Sequence, residues 1–450
     1  MKDLLVSDII KITGGKLIYG NLEEKCESYS KDTRTIKEND VYIGIKGENF
    51  DGNDFYIDAF NKGAKIAILD KKMDYKSFDN KTIILVNNSK IALGKIAKYK
   101  RDLYDIPVVA VTGSVGKTST RDIITSVLST KYKVLSTVGN LNNDIGLPLT
   151  ILTLKDENAM VLEMGMNNLN EISYLSKIAS PTIAVITNVG TAHIGNLGSR
   201  ENILKAKLEI IDGLKENGLL IINNDNDMIH NNINKISCKY KTIGIDNKSD
   251  FMATNIIDNV FSSEFEINNE NFNINVGGNA FIYNSLVAYA VGKELNIDVD
   301  NIKIGIKNFK LTKNRMEKII NKNGTTIIND TYNASYDSVK NAIDLLNKSD
   351  YKRKIFVFGD ILELGKYSKE IHEKIANDIL NSNINIIITV GKETKYTSKI
   401  LKDNNFKNVY EFSNEKETYD FLKSLLNKDD IILLKGSNGM KLFNIVDEIK

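Results

Sequence analysis

Short apolar runs alternate with amphipathic segments through the middle of the chain. The runs are VVAV (108–111), VLSTV (134–138), AMVLEM (159–164), TIAVIT (182–187) and LLII (219–222). In a segment between two of them, Ile123, Ile124, Val127 and Leu128 fall on one face of a helix. Alternation of continuous apolar strands with helices is typical of a mainly parallel sheet covered on both faces. The pattern therefore predicts a central α/β unit.

The same alternation, with shorter runs, occupies the two ends of the chain. Before Pro107, the segments DVYIGIKG and AKIAILD are typical of strands. Near 261–276, two segments with period-two alternation flank the turn NNEN and predict an antiparallel hairpin. From about 312 a second strand–helix alternation begins, which favours a Rossmann-like domain. We therefore predict a three-domain α/β protein with domains at 1–105, 106–311 and 312–450.

Length and composition agree with this division and exclude several classes of protein. The chain has 450 residues, enough for three domains with their own cores. Its 60 basic and 58 acidic side chains leave a net charge of +2, which argues against a partner held mainly by nucleic-acid phosphates. No apolar run reaches the ~18 residues of a membrane span, and the first residues lack a cleavable signal pattern. With two cysteines only, we expect a cytoplasmic protein without membrane insertion.

The sharpest local motif is TGSVGKTST (112–120), which follows an apolar strand and opens an amphipathic helix. In such a turn, backbone N–H groups and the helix N-terminus can bind phosphate. Lys117 would reach the β- and γ-phosphates, and the Thr118 hydroxyl would bind Mg²⁺. The strict GxxxxGK[ST] pattern fails because Val111 stands where its first glycine belongs. The motif predicts phosphate binding, with a plain strand-to-helix turn as the alternative. Its candidate contacts are Gly113, Ser114, Val115, Gly116, Lys117, Thr118 and Ser119.

Polar residues also follow neighbouring strands of the predicted central sheet. Thr112, Glu163, Asn188 and Asn223 each stand at or just after the carboxyl end of an apolar run. Ligands of open α/β sheets bind outside these strand ends, so the four residues are expected at one edge. Glu163 is a candidate Mg²⁺ ligand because Mg²⁺ prefers oxygen donors, although a solvated strand end is the alternative.

The histidines and one lysine leave their roles open. His193 follows TIAVIT, and a loop histidine with satisfied hydrogen bonds is the ordinary outcome. His372 is expected to be a helix-face residue. Lys207 shares a helical face with Ile203, Ile210 and Leu214, where a snorkelling side chain is usual. The alternative is a buried lysine with a lowered pKa, whose free amine could add CO₂.

Polar residues beside apolar runs recur in the last third of the chain. Arg315 in NRMEKI could bind phosphate as a bidentate fork. Asp330 in NDTYNAS and Lys435 in KGSNGM stand at predicted strand ends, where turn chemistry and ligand contact are equally open.

Taken in order, these segments resemble the Mur ligase family of ATP-dependent amino acid ligases over essentially the whole chain. SKDTRTIKENDVYIGIKGENFDGNDF is similar to the family's UDP-binding domain, and NLNNDIGLP (140–148) to its substrate loop. The resemblance assigns Thr33, Arg34, Gly47, Asn140, Asn142 and Asn143 to substrate binding. AKLEI aligns Lys207 with the family's carbamylated lysine, and YNSL aligns Asn284 with its adenine-contacting asparagine.

The resemblance implies a reaction as well as a fold. ATP and Mg²⁺ would activate the carboxylate of UDP-N-acetylmuramoyl-tripeptide as an acyl phosphate, and D-alanyl-D-alanine would attack it. Lys117, His193 and Lys207 would be catalytic, and Thr118, Glu163, His193 and carbamylated Lys207 would hold metal. Arg315 and Asp330 would contact nucleotide, and Tyr332, Asn333 and Lys435 the incoming amine. A monomer is expected.

The chain departs from the family pattern at three places, and alternatives stay open. Ala280–Phe281 replaces a His–Asn pair, Asn329–Asp330 an Asp–Asp pair and Ser335–Tyr336 an Asn–Pro pair. The alternatives are a sister ligase that adds a diamino acid to the dipeptide precursor, folylpolyglutamate synthase, and a nucleotide-binding regulator without ligase activity.

Overall fold

The computed structural model describes residues 3–450, and its strands form four sheets within that range. The sheets have nine, six, five and two strands in the described part of the chain. The three larger sheets use successive stretches of sequence, and each is accompanied by helices. The predicted α/β class with a mainly parallel central sheet is confirmed.

The first of these units contains the five-stranded sheet. Its strand order is Lys16–Tyr19, Thr82–Leu85, Ile66–Leu69, Val41–Ile43 and Tyr29–Ser30, with only the first strand antiparallel to its neighbour. Leu4–Leu5 and Lys25–Cys26 form the small antiparallel sheet. The helices are Val6–Thr13, Tyr56–Asn61 and Ser89–Asp102, with a 3₁₀ turn at Gly52–Phe55.

The central unit is built on the nine-stranded sheet. Its strand order is Glu270–Ile274, Ser263–Ile267, Phe251–Asp258, Tyr240–Gly244, Leu219–Asn223, Ile183–Ile186, Val108–Thr112, Ala159–Glu163 and Val134–Ser136. The first three strands are antiparallel to one another and include the predicted hairpin, and every later pair is parallel. The helices are Lys117–Leu128, Gly146–Leu152, Glu171–Ala179, Ile194–Leu197, Arg200–Leu208, Asp227–His230, Asn279–Glu294 and Val299–Lys307, with 3₁₀ turns at Glu209–Gly213 and Ile233–Lys235.

The strand Val108–Thr112 shows why this sheet is covered on both faces. Side chains alternate across a strand, so Val109 and Val111 pack with Ile123 and Leu286 on one face. Ala110 packs into a second core on the opposite face. All five residues of the strand are buried, which accounts for its unbroken apolar sequence.

The last unit contains the six-stranded sheet. Its strand order is Glu317–Ile320, Thr326–Asp330, Ile431–Lys435, Lys354–Gly359, Ile386–Val390 and Val409–Phe412, and only the first strand is antiparallel. The helices are Tyr336–Lys348, Ser368–Leu380, Lys395–Asp403, Glu415–Leu425 and Phe443–Ile449, with 3₁₀ turns at Gly365–Tyr367 and Asn438–Met440. Among the helices of residues 3–450, none has both the length and the apolar character needed to cross a bilayer.

The helix that carries Lys207 is shorter than its sequence pattern suggested. The α-helix spans Arg200–Leu208 and continues as a 3₁₀ turn over Glu209–Gly213. Leu214 therefore lies beyond the helix, in extended conformation. The prediction that Leu214 shares a helical face with Lys207 is therefore wrong, because the chain leaves the helix and turns toward the next strand.

Candidate active site

The loop between Val108–Thr112 and Lys117–Leu128 has the conformation of a phosphate-binding turn. Gly113 and Gly116 have φ angles of 155° and 84°, and Gly116 immediately precedes the helix. A Cβ at Gly113 would lie 1.8 Å from the Thr187 hydroxyl, so only glycine fits there. The Val115 N–H donates to the Asn188 side chain at 2.9 Å, which ties the loop to the neighbouring strand end.

Lys117 folds back over this loop. Its Nζ donates to the Gly113 carbonyl at 2.8 Å. Burial lowers the pKa of Lys117, Glu163 opposes that effect, and the positive charge of Arg315 adds to it. A cation held beside a glycine-rich turn is suited to the charge of a triphosphate.

Glu163 lies at the end of the adjacent strand and is only 3% exposed. Its Oε2 accepts a hydrogen bond from the Thr118 hydroxyl at 2.9 Å, and its Oε1 accepts one from the Asn142 amide at 2.7 Å. Arg121 also donates to Oε2, at 3.3 Å. The hydroxyl and carboxylate predicted to bind Mg²⁺ are therefore in direct contact.

His193 and Lys207 are close enough to Lys117 for its charge to lower the pKa of each. Burial, with the charges of Lys117 and Lys207, lowers the pKa of His193 to about 4, so its ring is neutral at pH 7. Lys207 is 1% exposed, so the expected snorkelling is wrong. Burial and the charge of Lys117 hold the pKa of Lys207 well below its ordinary value. In the described part of the chain, no carboxylate lies within 4.0 Å of its Nζ.

Residues of the last unit complete the site. Arg315 donates to the Thr118 hydroxyl at 3.1 Å, and its guanidinium lies 4.0 Å from the centre of the Tyr332 ring. Lys435 is paired with Asp330 at 2.5 Å and donates to the Asn333 carbonyl at 3.1 Å. The central and last units therefore meet at the phosphate loop.

A single cavity of about 750 Å³ connects most of the predicted residues. The predicted residues that line it are Ser114, Val115, Gly116, Lys117, Thr118, Ser119, Asn140, Asn142, Asn143, Glu163, His193, Asn284, Arg315, Asp330, Tyr332, Asn333 and Lys435. Gly113 and Lys207 are not part of the lining, although both are close to residues that are. Asn223 lies at the same sheet edge but outside the cavity, where it accepts from the Asp225 N–H.

The three substrate-binding residues predicted in the first unit lie away from this cavity. Arg34 pairs with Asp32 at 2.6 Å, and Thr33 hydrogen-bonds to Asp58. The Gly47 N–H donates to the Phe50 carbonyl in a tight turn. Their role in binding a nucleotide sugar stays a prediction.

Three polar residues near the site were not named individually in the sequence analysis, although one of them, Glu363, lies in the segment GDILELG (359–365), which places polar residues beside an apolar run. Arg121 follows Lys117 by one helical turn and reaches Glu163, a spacing that could have indicated it. Asp337 binds the Thr191 backbone, and Glu363 lies 3.3 Å from His193 Nδ1. The last two act across the boundary between two units, which no local pattern reveals.

The donors at the site restrict the metal it could hold. Among residues 3–450 there is no group of three or more His, Cys, Asp and Glu side chains arranged around a metal position. Thr118 and Glu163 supply oxygen donors next to the phosphate loop. This set fits Mg²⁺, which keeps few protein ligands and completes its shell with phosphates and water.

Comparison with known families supports this geometry. The Mur ligase middle domain model matches residues 111–292, and the Mur ligase glutamate ligase domain model matches residues 314–438. A UDP-N-acetylmuramoyl-tripeptide–D-alanyl-D-alanine ligase of Bacillus subtilis (strain 168) is 37% identical and covers 99% of this chain and 98% of its own length. The chain belongs to the Mur ligase family.

Solved structures resemble this Mur ligase over its whole length. A crystal structure of MurF from Acinetobacter baumannii superposes with a TM-score of 0.91 and 27% identity, covering 100% of this chain and 99% of the other. MurF ligase from Thermotoga maritima in complex with ADP has a TM-score of 0.84 and 29% identity, covering 94% and 97%. The three-domain Mur ligase architecture therefore extends over all the units described above.

Proposed function

We propose that this Mur ligase joins D-alanyl-D-alanine to UDP-N-acetylmuramoyl-tripeptide with cleavage of ATP to ADP and phosphate. The observation that carries the proposal is the single cavity in which Lys117, Glu163 and His193 of the central unit meet Arg315 and Lys435 of the last. The relatives that carry this activity in their names match the chain from end to end. We place the reaction in the cytoplasm because ATP and a nucleotide-linked precursor are intracellular compounds.

Each unit receives one substrate in this proposal. Residues 1–105 bind the UDP end of the precursor through Thr33, Arg34 and Gly47. Residues 106–311 bind ATP and the precursor's reacting end, the latter through Asn140, Asn142 and Asn143. Residues 312–450 close over the nucleotide with Arg315 and Asp330 and receive the amine through Tyr332, Asn333 and Lys435.

ATP is bound between the central and last units. The loop amides from Gly113 to Ser119 surround its phosphates, and Lys117 neutralises charge on the β- and γ-phosphates. Asn284 is close to this loop, since a Cβ at Gly116 would lie 3.3 Å from its side-chain oxygen. We assign it the adenine contact from the family resemblance.

Mg²⁺ would be held by Thr118 and Glu163, with a second position near His193 and Lys207. When bound, it neutralises phosphate charge and polarises the reacting oxygens. The neutral ring of His193 leaves a nitrogen lone pair available to a metal.

Lys207 is a candidate for carbamylation. Burial and the charge of Lys117 lower its pKa, which favours the uncharged amine, and no carboxylate lies within 4.0 Å of its Nζ in the described residues. Addition of CO₂ would convert it into an anionic oxygen donor. A ¹³C carbamate resonance should appear with labelled bicarbonate in the wild type and in Lys205→Met, which changes an exposed lysine of the same helix, but be absent from Lys207→Met. Its absence from the wild type would reject the modification.

The chemistry begins with the precursor's terminal carboxylate, which does not condense with an amine unaided. That carboxylate attacks the γ-phosphorus, ADP leaves, and an acyl phosphate forms. The amine then attacks the acyl carbon, and phosphate leaves with the electron pair of the broken C–O bond. Lys117 and Arg315 hold the phosphoryl group in place, and the closed interface limits access of water to the acyl phosphate.

The alternatives are a sister ligase that adds a diamino acid to the dipeptide precursor, folylpolyglutamate synthase, and a regulator without activity. A phosphate-release assay that pairs each precursor with each amine separates them. We expect turnover only with the tripeptide precursor and D-alanyl-D-alanine together. Lys117→Met should lower kcat at least 100-fold, while Lys205→Met should match the wild type. Turnover that does not depend on D-alanyl-D-alanine would reject the proposal.

A further inference from the structure

One wall of the cavity is a short segment of the last unit, residues 360–365. Ile361, Leu362, Glu363 and Leu364 all line the cavity. Glu363 has a φ of 65°, in the left-handed region that a glutamate rarely adopts. Its carboxylate lies 3.3 Å from Nδ1 of His193, a residue of the central unit. The strained backbone therefore presents this side chain to the part of the cavity that holds His193.

The segment is held firmly by hydrogen bonds from behind. The Ile361 N–H donates to Nε2 of His372, which is completely buried, at 3.3 Å. The Leu362 N–H donates to the Ser437 hydroxyl at 2.9 Å. These two bonds fix the backbone on the N-terminal side of Glu363.

The same segment packs tightly on the loop that carries His193. A Cβ at Gly195 would lie 2.4 Å from the Glu363 carbonyl oxygen, so only glycine allows this approach. Just after the segment, the Tyr367 hydroxyl donates to the Gly198 carbonyl at 2.6 Å. The position of Glu363 relative to His193 is therefore set by packing on both sides.

Among the described residues that line the cavity, Glu171 and Glu363 are acids without a lysine or arginine partner, but the Glu171 carboxylate accepts hydrogen bonds from the Asn167 N–H at 2.7 Å and the Asn168 amide at 3.0 Å. Glu163 accepts from Arg121, Asp258 pairs with Lys348, and Asp330 pairs with Lys435. Within residues 3–450, no lysine or arginine nitrogen lies within 4.0 Å of the Glu363 carboxylate. The side chain is 64% exposed, so a cation in the cavity can reach it.

We propose that Glu363 binds the ammonium group of the incoming amine substrate. The inference rests on the proposed function, because that reaction brings an amine to an acyl phosphate. An α-amino group has an ordinary pKa near ~8, so it arrives at neutral pH mostly as an ammonium ion. A carboxylate without a cationic partner binds such an ion through charge-assisted hydrogen bonds.

Before the attack, the bound ammonium releases one N–H proton to water, which frees the nitrogen lone pair. That pair forms the new C–N bond at the acyl carbon, and the C–O bond to phosphate breaks with its electrons on phosphate. The departing phosphate takes the second N–H proton.

Steady-state kinetics of Glu363→Gln test this assignment. The variant keeps the size of the side chain and removes its charge. We expect KM for D-alanyl-D-alanine to rise about tenfold or more, since a hydrogen bond between charged groups is lost, while KM for ATP and for the tripeptide precursor stays within about twofold. Glu370→Gln makes the same charge change at an exposed position of the helix Ser368–Leu380 and should behave as wild type.

A competitor without the ammonium group separates charge recognition from a structural role. D-lactoyl-D-alanine carries a hydroxyl in place of the amine and should inhibit the wild type and Glu363→Gln with similar constants. If Glu363→Gln binds the dipeptide and the competitor more weakly by the same factor, only the shape of the site has changed, and the proposal is overturned. A raised Mg²⁺ requirement with unchanged KM for the dipeptide would also overturn it, in favour of a metal-binding role. Glu363→Gln could also have a lower Tm than Glu370→Gln. In that case Glu363→Asp, which restores the charge, decides the question. The proposal stands if Glu363→Asp recovers the affinity for the dipeptide and is overturned if it does not.

These outcomes are distinct from failure of the proposed function. If wild-type turnover does not require D-alanyl-D-alanine, the proposed function itself is wrong. If wild-type turnover requires it and Glu363→Gln retains the wild-type KM for it, only the assignment of Glu363 is wrong.

Discussion

The carboxylate of Asp337 accepts two hydrogen bonds from Thr191, one from its backbone N–H at 3.0 Å and one from its hydroxyl at 3.3 Å. Asp337 lies in the first turn of the helix Tyr336–Lys348, and Thr191 lies two residues before His193. A Cβ at Gly190 would come within 2.1 Å of the same carboxylate, so the loop approaches it closely. Asp337 thus joins the last unit to the loop that carries His193.

Removal of this link should impair catalysis more than folding. A hydrogen bond to a charged group contributes about 1.5–3 kcal/mol, so Asp337→Ala should lower kcat about tenfold or more. Asp337→Asn keeps one acceptor oxygen and should lose less. Phosphate release under saturating substrates measures the effect. If Asp337→Ala has wild-type kcat, this contact has no part in turnover.

A second prediction concerns the buried charges around Glu163. Arg121 is 4% exposed and contacts both Asp122 and Glu163. Arg121→Met leaves two carboxylates without their cation and should lower the free energy of unfolding by about 3–5 kcal/mol. Arg121→Lys should recover part of that loss, because lysine restores the positive charge but not the planar guanidinium group that can contact both carboxylates. Urea unfolding of the wild type, Arg121→Met and Arg121→Lys measures these free energies. A loss below about 1 kcal/mol in Arg121→Met would contradict the prediction.

A third prediction concerns pH and His372. Burial lowers the pKa of His372 below its ordinary value of 6.5, although the Ser368 carbonyl, Asp360 and Glu393 oppose the shift. The unfolded chain therefore binds a proton at this residue more readily than the native chain. The contribution of the neutral His372 ring to the free energy of unfolding is therefore complete above about pH 6.5 and is lost as the pH falls below that value.

The comparison for this prediction is His372→Gln. The glutamine side chain offers the Ile361 N–H an uncharged acceptor that does not titrate. The Tm of His372→Gln should therefore fall less than the Tm of the wild type between pH 7 and 5. Parallel loss of Tm in both proteins would show that other groups cause the acid sensitivity.

The sequence predicted the central part of the site because its signals are local. Lys117 and Thr118 follow a strand and open a helix, and Glu163 ends the adjacent strand. In a parallel sheet these strand ends must meet, so their contact followed from the pattern of apolar runs alone. The resemblance to a known family then favoured functional roles for Lys207 and His193, which the residue patterns alone had left open.

The remainder of the site depends on how two units pack, which local patterns do not determine. Glu363 and Asp337 contact the central unit only because the six-stranded domain lies over the phosphate loop. The strand Val409–Phe412 has no marked apolar run, since it is short and its residues are only partly buried or exposed at a sheet edge. His372 looked like an ordinary helix-face residue, and only the fold shows that its ring binds the Ile361 N–H.

The most direct test of the account follows oxygen atoms from the tripeptide carboxylate. The precursor is labelled at that carboxylate with the heavy isotope of oxygen, and released phosphate is analysed by mass spectrometry. If the carboxylate attacks the γ-phosphorus, one labelled oxygen must appear in each phosphate released during ligation to D-alanyl-D-alanine, and Lys117→Met should release almost none. Ligated product accompanied by unlabelled phosphate would contradict the acyl-phosphate route and with it the role assigned to this cavity.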